Sequence, residues 1–255
     1  MYFDTHAHYD DDAFDADRDE LIALLPESEV ALVLNPGCDR TSSEKAMELA
    51  RVYPYFYAAA GWHPHDAKLF EEQGAEDFLF SAIEYEKVVA IGEIGLDFHY
   101  DYSAHDIQTR VFERQMEFAR DHDIPVIIHS REAHEETMKI VRRFKDTVRG
   151  VFHCYSGSEE ASHEILDMGW YLSFTGAVTF KNARRPVETV AAMPLDRLML
   201  ETDSPYMTPV PHRGKRCDSR MLHYMAEKIG EIRGMEVEEI AALTMENGKR
   251  FFGIE

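Results

Sequence analysis

Cysteine is scarce, with only Cys38, Cys154 and Cys217 in 255 residues. The number is odd and no Cys-x-x-Cys spacing occurs. That excludes a full disulfide framework or a cysteine zinc knuckle, and reduced intracellular thiols are expected. Basic residues are also short, 27 Lys and Arg against 48 Asp and Glu, giving a formal charge of −21. Such a chain is a poor nonspecific binder of nucleic acid or anionic membrane, although bound cations or a small basic patch can reverse the field locally. No apolar run approaches the roughly 18 residues needed to span a bilayer, and no basic-plus-apolar leader precedes His6. A cytoplasmic protein is expected, without membrane attachment or an obligatory protein partner. Low-complexity linkers and repeats are missing too, so residues 1–255 are expected to form a single domain.

What the chain does have is a regular alternation. Short β-branched or apolar runs, the expected strands, fall at 2–8, 30–35, 56–61, 88–94, 125–129, 150–154, 171–175 and 198–202. Amphipathic stretches separate them, at about 17–25, 43–52, 76–86, 106–122, 132–145, 159–168, 184–192 and 219–232, with a last helix over 236–246. Eight strands each followed by a helix imply parallel pairing with right-handed crossovers. The length matches the roughly 250 residues typical of one (β/α)8 TIM barrel, which fits better than an open doubly wound sheet.

Six potential metal ligands stand at or near the ends of five of these runs. They are His6 and His8 in Asp4-Thr5-His6-Ala7-His8, Glu93 in Gly92-Glu93-Ile94-Gly95, His129 after Val126-Ile127-Ile128, His153 after Val151-Phe152, and Asp203 in Glu201-Thr202-Asp203. Strand alternation places His6 and His8 on one face and turns Cys154, next to His153, away as a small apolar filler. Each residue alone has an ordinary explanation: a hydrogen-bonded core histidine, or a turn-forming aspartate before Ser204-Pro205. Together, at the C-terminal ends where barrel active sites lie, they point to a divalent metal site. Six ligands favour two ions, and Glu93 is the natural bridge between them. The mixed N/O donors suit Zn, Mn, Ni, Co or Mg. Glu201 shares parity with Asp203, and Asp4 with His6. Either acid is expected to support the site from behind or to satisfy a backbone partner.

The motifs Phe3-Asp4-Thr5-His6-Ala7-His8, Gly61-Trp62-His63-Pro64, Gly92-Glu93-Ile94-Gly95-Leu96-Asp97, Pro194-Leu195-Asp196-Arg197, Glu201-Thr202-Asp203-Ser204-Pro205-Tyr206 and Asn247-Gly248-Lys249-Arg250-Phe251-Phe252 run the length of the chain. In this order they resemble the TatD family of metal-dependent deoxyribonucleases, of the amidohydrolase superfamily. The resemblance implies a TIM-barrel hydrolase with one ion on His6, His8 and Asp203, a second on His129 and His153, and Glu93 contacting both. It also implies that Asp203 activates water, that His63 contacts substrate phosphate, and that the enzyme acts as a 3′ exonuclease. After Gly214-Lys215-Arg216 the family usually continues Asn-Glu-Pro, whereas this chain has Cys217-Asp218-Ser219.

The expected activity is therefore hydrolysis of DNA phosphodiesters by metal-activated water, with Asp203 and Glu93 as the catalytic acids. Arg213, Lys215 and Arg216 would hold a flanking phosphate beside His63. With so few basic residues, DNA ends or single strands are the expected substrates. The alternative enzyme is an amidohydrolase acting on a small ester, amide or lactone. A metal-stabilised scaffold without catalysis is the other alternative.

Overall fold

The computed structural model describes residues 1–255. Its strands are β1 (Tyr2–Asp4), β2 (Val30–Pro36), β3 (Phe56–Ala60), β4 (Val88–Asp97), β5 (Val126–Arg131), β6 (Gly150–Phe152), β7 (Tyr171–Phe174) and β8 (Leu198–Leu200). Its α-helices are α1 (Arg18–Leu24), α2 (Arg40–Val52), α3 (Ala75–Ala82), α4 (His105–Asp121), α5 (His134–Val141), α6 (Glu159–Asp167), α7 (Arg184–Ala192), α8 (Leu222–Arg233) and α9 (Val237–Phe252). The eight strands form one sheet in chain order, as the alternation predicts for the (β/α)8 barrel class. No helix is long and apolar enough to cross a membrane.

The chain divides into two compact units, Met1–Asn35 with His153–Glu255, and Pro36–Phe152. In the first, β1 pairs with β2 and β7 with β8, all parallel. Helix α9 covers this sheet segment: the rings of Phe3 and Phe252 lie 5.9 Å apart, and both side chains are buried. Burying one such ring stabilises by about 1.5–3 kcal/mol. Asn247, on the inner face of α9, donates its amide to the carbonyls of Leu195 and Leu198 at 2.8 Å, fixing the entry into β8.

In the second unit, β3 to β6 pair in sequence, again parallel. Trp62 packs edge-on against Phe70 and Phe78. Two buried glutamines, two helical turns apart on α4, tie loose strand ends to that helix. Gln115 accepts from Trp62 N at 2.8 Å and donates to Trp62 O at 3.0 Å, just beyond β3. Gln108 does the same for Asp97, at 2.9 and 3.0 Å, where β4 ends. A primary amide can replace a missing ladder partner because it offers both a donor and an acceptor.

Three strands stop two or more residues earlier than the apolar runs suggest. β1 ends at Asp4, β6 at Phe152 and β8 at Leu200. His6, His8, His153 and Asp203 therefore sit on the loops that follow, and strand alternation does not set their direction. Beyond β6 and β8 the backbone bars a continued strand: Cys154 and Asp203 both adopt positive φ, 45° and 55°, which no strand accommodates. Cys154 is accordingly not an outward filler. Its N–H donates to Glu201 at 2.5 Å, and its thiol lies 3.5 Å from Thr175 Oγ1.

Candidate metal centre

Within the first unit, two loop segments are zipped together by main-chain hydrogen bonds. Asp203 N donates to His6 O at 2.9 Å and His8 N to Ser204 O at 2.8 Å, with Ala7 and Ser204 forming a parallel bridge. This lacing brings His6, His8 and Asp203 together. The two Nε2 atoms are 3.1 Å apart, and Asp203 Oδ1 lies 3.9 Å from His6 and 3.7 Å from His8. Two nitrogens each about 2.1 Å from one ion, at angles between octahedral and tetrahedral, stand roughly 3.0–3.4 Å apart. Two imidazole lone pairs cannot face each other at this distance without a proton or a cation between them. The donor set fits a divalent ion.

His153 belongs to the same group. Its ring stacks on His6 with centroids 4.1 Å apart and planes 8° from parallel. Behind it, Glu201 Oε1 lies 3.5 Å from His153 Nδ1. Glu201 is fully buried and also accepts from Cys154 N and from Ser173 Oγ. Burial favours its neutral form, but the hydrogen bonds and the neighbouring imidazoles outweigh this and hold its pKa below the ordinary glutamate value. Asp4 does not share that task. Its carboxylate accepts from Thr202 N, Thr202 Oγ1 and Ser219 Oγ at 2.6–2.8 Å, and burial pushes its pKa up to about 7.

In the second unit Glu93 and His129 project from within β4 and β5, and His63 stands at the head of a short 3-10 helix, Pro64–Leu69. Their donor atoms converge: Glu93 Oε1 is 2.7 Å from His129 Nδ1 and 3.5 Å from His63 Nε2. The other His129 nitrogen, Nε2, faces Asp97 Oδ2 at 3.2 Å. Two carboxylates thus flank one imidazole, an arrangement that suits a cation on the Glu93 side, with the Nε2 proton directed at Asp97. Asp97 is almost fully buried and also accepts from His65 Nε2 and from the backbone of His99 and Tyr100. Burial would raise its pKa, yet the hydrogen bonds from His129 and the backbone hold it far below the usual carboxylate range.

The tautomer of His63 separates its role from those of the other donors. Its Nδ1 accepts the His65 N–H at 3.1 Å, so a neutral ring carries its proton on Nε2. That nitrogen is a hydrogen-bond donor, suited to a phosphate oxygen more than to a metal ion.

The basic loop after β8 is less uniform than its composition suggests. Arg216 makes a bidentate pair with Asp17 at 2.7 and 2.6 Å and donates to Ala13 O. Arg213 lies 3.9 Å over the Phe180 ring and donates to Thr208 O. Lys215 is exposed. Sequence reasoning missed the parts of Asp97 and His65. A signal existed for Asp97, since it shares parity with Glu93 and closes the same motif, Gly92-Glu93-Ile94-Gly95-Leu96-Asp97, beyond the expected strand end at 94.

Imidazoles and carboxylates gathered on the strand ends and following loops of a (β/α)8 chain are the donor set of a metal-dependent enzyme, and its relatives place this one among the metal-dependent hydrolases. The family model described as TatD related DNase matches residues 3–253, and the chain is a member of that family. The metal-dependent hydrolase YabD of Bacillus subtilis is 46% identical over 100% of both chains. The 3'-5' ssDNA/RNA exonuclease TatD of Escherichia coli K12 is 34% identical over 99% of each. Among solved structures, YJJV, a TatD homologue from Escherichia coli K12, superposes with a TM-score of 0.90 at 28% identity, covering 100% of this chain and 98% of that one.

Proposed function

We propose that the protein is a metal-dependent nuclease that removes nucleotides from the 3′ ends of DNA, preferring free ends or single strands. In this reading residues 1–255 act as one catalytic domain in the cytoplasm, where Cys38, Cys154 and Cys217 stay reduced. His6, His8 and Asp203 would hold one divalent ion and His129 and His153 a second, with Glu93 as a ligand to both. When bound, the ions lower the pKa of water from about 15.7 toward about 7 and neutralise charge on the phosphoryl group.

The chain's own residues do the rest. Asp203 orients the attacking water and accepts its proton, because its Oδ1 lies beside both His6 and His8. Glu201 fixes the His153 ring and Asp97 the His129 ring, so neither imidazole must be ordered during turnover. His63 donates from Nε2 to a phosphate oxygen. Lys215 has the greatest freedom in the basic loop to reach a neighbouring phosphate, with Arg213 and Arg216 shaping the loop around it.

The observation that carries the reading is the pairing of each donor group with a buried acid behind one histidine, Glu201 for His153 and Asp97 for His129. The test is release of nucleotides from a 3′-labelled oligonucleotide with added Mn²⁺ or Mg²⁺, run beside a panel of small esters, amides and lactones. Glu93→Ala is expected to abolish nucleotide release while Cys154→Ala retains it. Equal activity in the two variants, or turnover of the small substrates alone, contradicts the nuclease reading.

A further inference from the structure

The loop joining β4 to α4 carries two exposed aromatic side chains immediately beside the Glu93–His129 group. Tyr100 is 39% and Tyr102 57% exposed; Phe80 and Tyr206 are the other exposed rings. Their rings are 5.4 Å apart and 25° from parallel. Both pack on the edge of His65, at 5.6 and 4.8 Å. His65 in turn reaches Asp97 at 3.0 Å, the same carboxylate that holds His129. The aromatic pair is thus joined to the metal-ligand side chains through two polar contacts.

The charges around the pair suit a nucleic-acid strand. The Arg131 guanidinium sits 4.9 Å over the Tyr100 ring, and Lys68 Nζ is anchored on the Tyr102 carbonyl at 2.9 Å. The nearby acids are already engaged, Glu132 with His99 and Asp101 with His105. The loop's backbone is held by buried polar side chains and not by the two rings: the Asp97 carboxylate accepts from His99 N and Tyr100 N, and Gln108 donates to Ser103 O. Isolated exposed aromatics are ordinary. A stacked exposed pair with cations beside it is the pattern of a base platform.

We propose that Tyr100 and Tyr102 form a nucleobase-stacking ledge that grips an unpaired base of the strand whose phosphodiester lies at the metal centre. The proposal rests on the nuclease reading of that centre. It explains how a strongly acidic protein holds a single strand without a long basic groove: the π-faces bind regardless of base identity, and Arg131 and Lys68 face the phosphates on either side. A base still paired in a duplex cannot enter such a stack without unpairing, so the ledge also favours frayed or single-stranded ends.

The test measures binding separately from cleavage. Protein loaded with Mn²⁺ is titrated, by fluorescence anisotropy, with a hydrolysis-resistant phosphorothioate oligothymidylate and with an abasic strand of equal length. The wild type is expected to prefer the base-bearing strand. In the Tyr100→Leu/Tyr102→Leu double variant that preference should shrink by about 5- to 150-fold, the range for loss of one stacked base. The Tyr100→Phe/Tyr102→Phe variant keeps the ring faces and should keep the preference. So should Phe80→Leu, which removes an exposed ring elsewhere in the same unit. An undiminished preference in the leucine double variant, or an equal loss in Phe80→Leu, overturns the ledge while leaving the nuclease reading intact. A wild type that neither binds nor cleaves any oligonucleotide overturns that reading, and the ledge with it.

Discussion

Asp97 Oδ2 stands 3.2 Å from one ring nitrogen of His129 while Glu93 Oε1 stands 2.7 Å from the other. The imidazole is held from behind by one acid and offers its second nitrogen beside a different one. An orienting carboxylate of this kind commonly sets metal affinity by 10–100-fold. Asp97→Asn keeps the shape but loses the charge and can present an amide N–H toward the ring. Its affinity for Mn²⁺ or Zn²⁺, measured by isothermal titration calorimetry, is expected to fall within about that range. The thermal stabilisation conferred by added metal should shrink in parallel. Wild-type affinity in Asp97→Asn would show that Asp97 serves the loop alone.

Gly95 lies opposite His129 across the β4–β5 pair, with φ at +142°. A Cβ placed there would come 2.0 Å from the His129 carbonyl oxygen, so the strand carrying His129 would have to move. Gly95→Ala is expected to cost about 1–3 kcal/mol in urea unfolding, as overpacking does, with positive-φ strain in addition. Metal affinity should fall with it. Unchanged affinity and stability would mean the two strands can separate freely.

The basic loop should divide its labour. Lys215 is exposed, whereas Arg216 is committed to Asp17 and the Ala13 carbonyl. Lys215→Ala is therefore expected to weaken oligonucleotide binding and reduce its log–log salt slope by about 1. Arg216→Ala should instead lower the thermal midpoint more than Lys215→Ala does, because it frees the loop from the segment that leads into α1. The reverse ranking, read by anisotropy at several salt concentrations and by thermal melts, would reassign the two.

Helix α2 provides a pH-dependent contribution to stability. Asp39 caps it, accepting from Ser42 N at 2.9 Å and Ser42 Oγ at 2.7 Å, with Gln73 as a further donor. Partial burial opposes its charge, but these hydrogen bonds prevail, and its folded pKa lies below the ordinary 3.8. A depressed carboxylate stabilises the fold above its unfolded pKa, and that stabilisation is lost as pH falls through the folded value. Asp39→Ala is expected to cost about 1 kcal/mol at pH 7. The gap between the two proteins in urea denaturation should close as the pH falls below 3.8 and through the lower folded value. A gap that stays constant with pH would assign the cost to helix propensity.

Much of this molecule was legible before any coordinates. The helix expected over 184–192 is Arg184–Ala192, and that over 106–122 is His105–Asp121. Where the reading failed, the cause was local backbone. Strand alternation predicts His6 and His8 as neighbours on one face, but β1 stops at Asp4, and the two rings meet through the bend and bridge at Ala7. Arg213, Lys215 and Arg216 looked equivalent in sequence, yet Asp17, some 200 residues away, engages one of them.

Apolar periodicity and residue chemistry thus determined the order of strands and helices and the imidazole and carboxylate types at their ends, because both depend on neighbours a few positions apart. Only the folded chain decided that Asp97 stands behind His129, that Glu201 stands behind His153, and that Asp4 turns instead to Thr202 and Ser219. Those pairings depend on register between distant segments and on single residues of positive φ. Short-range pattern carries no information about either.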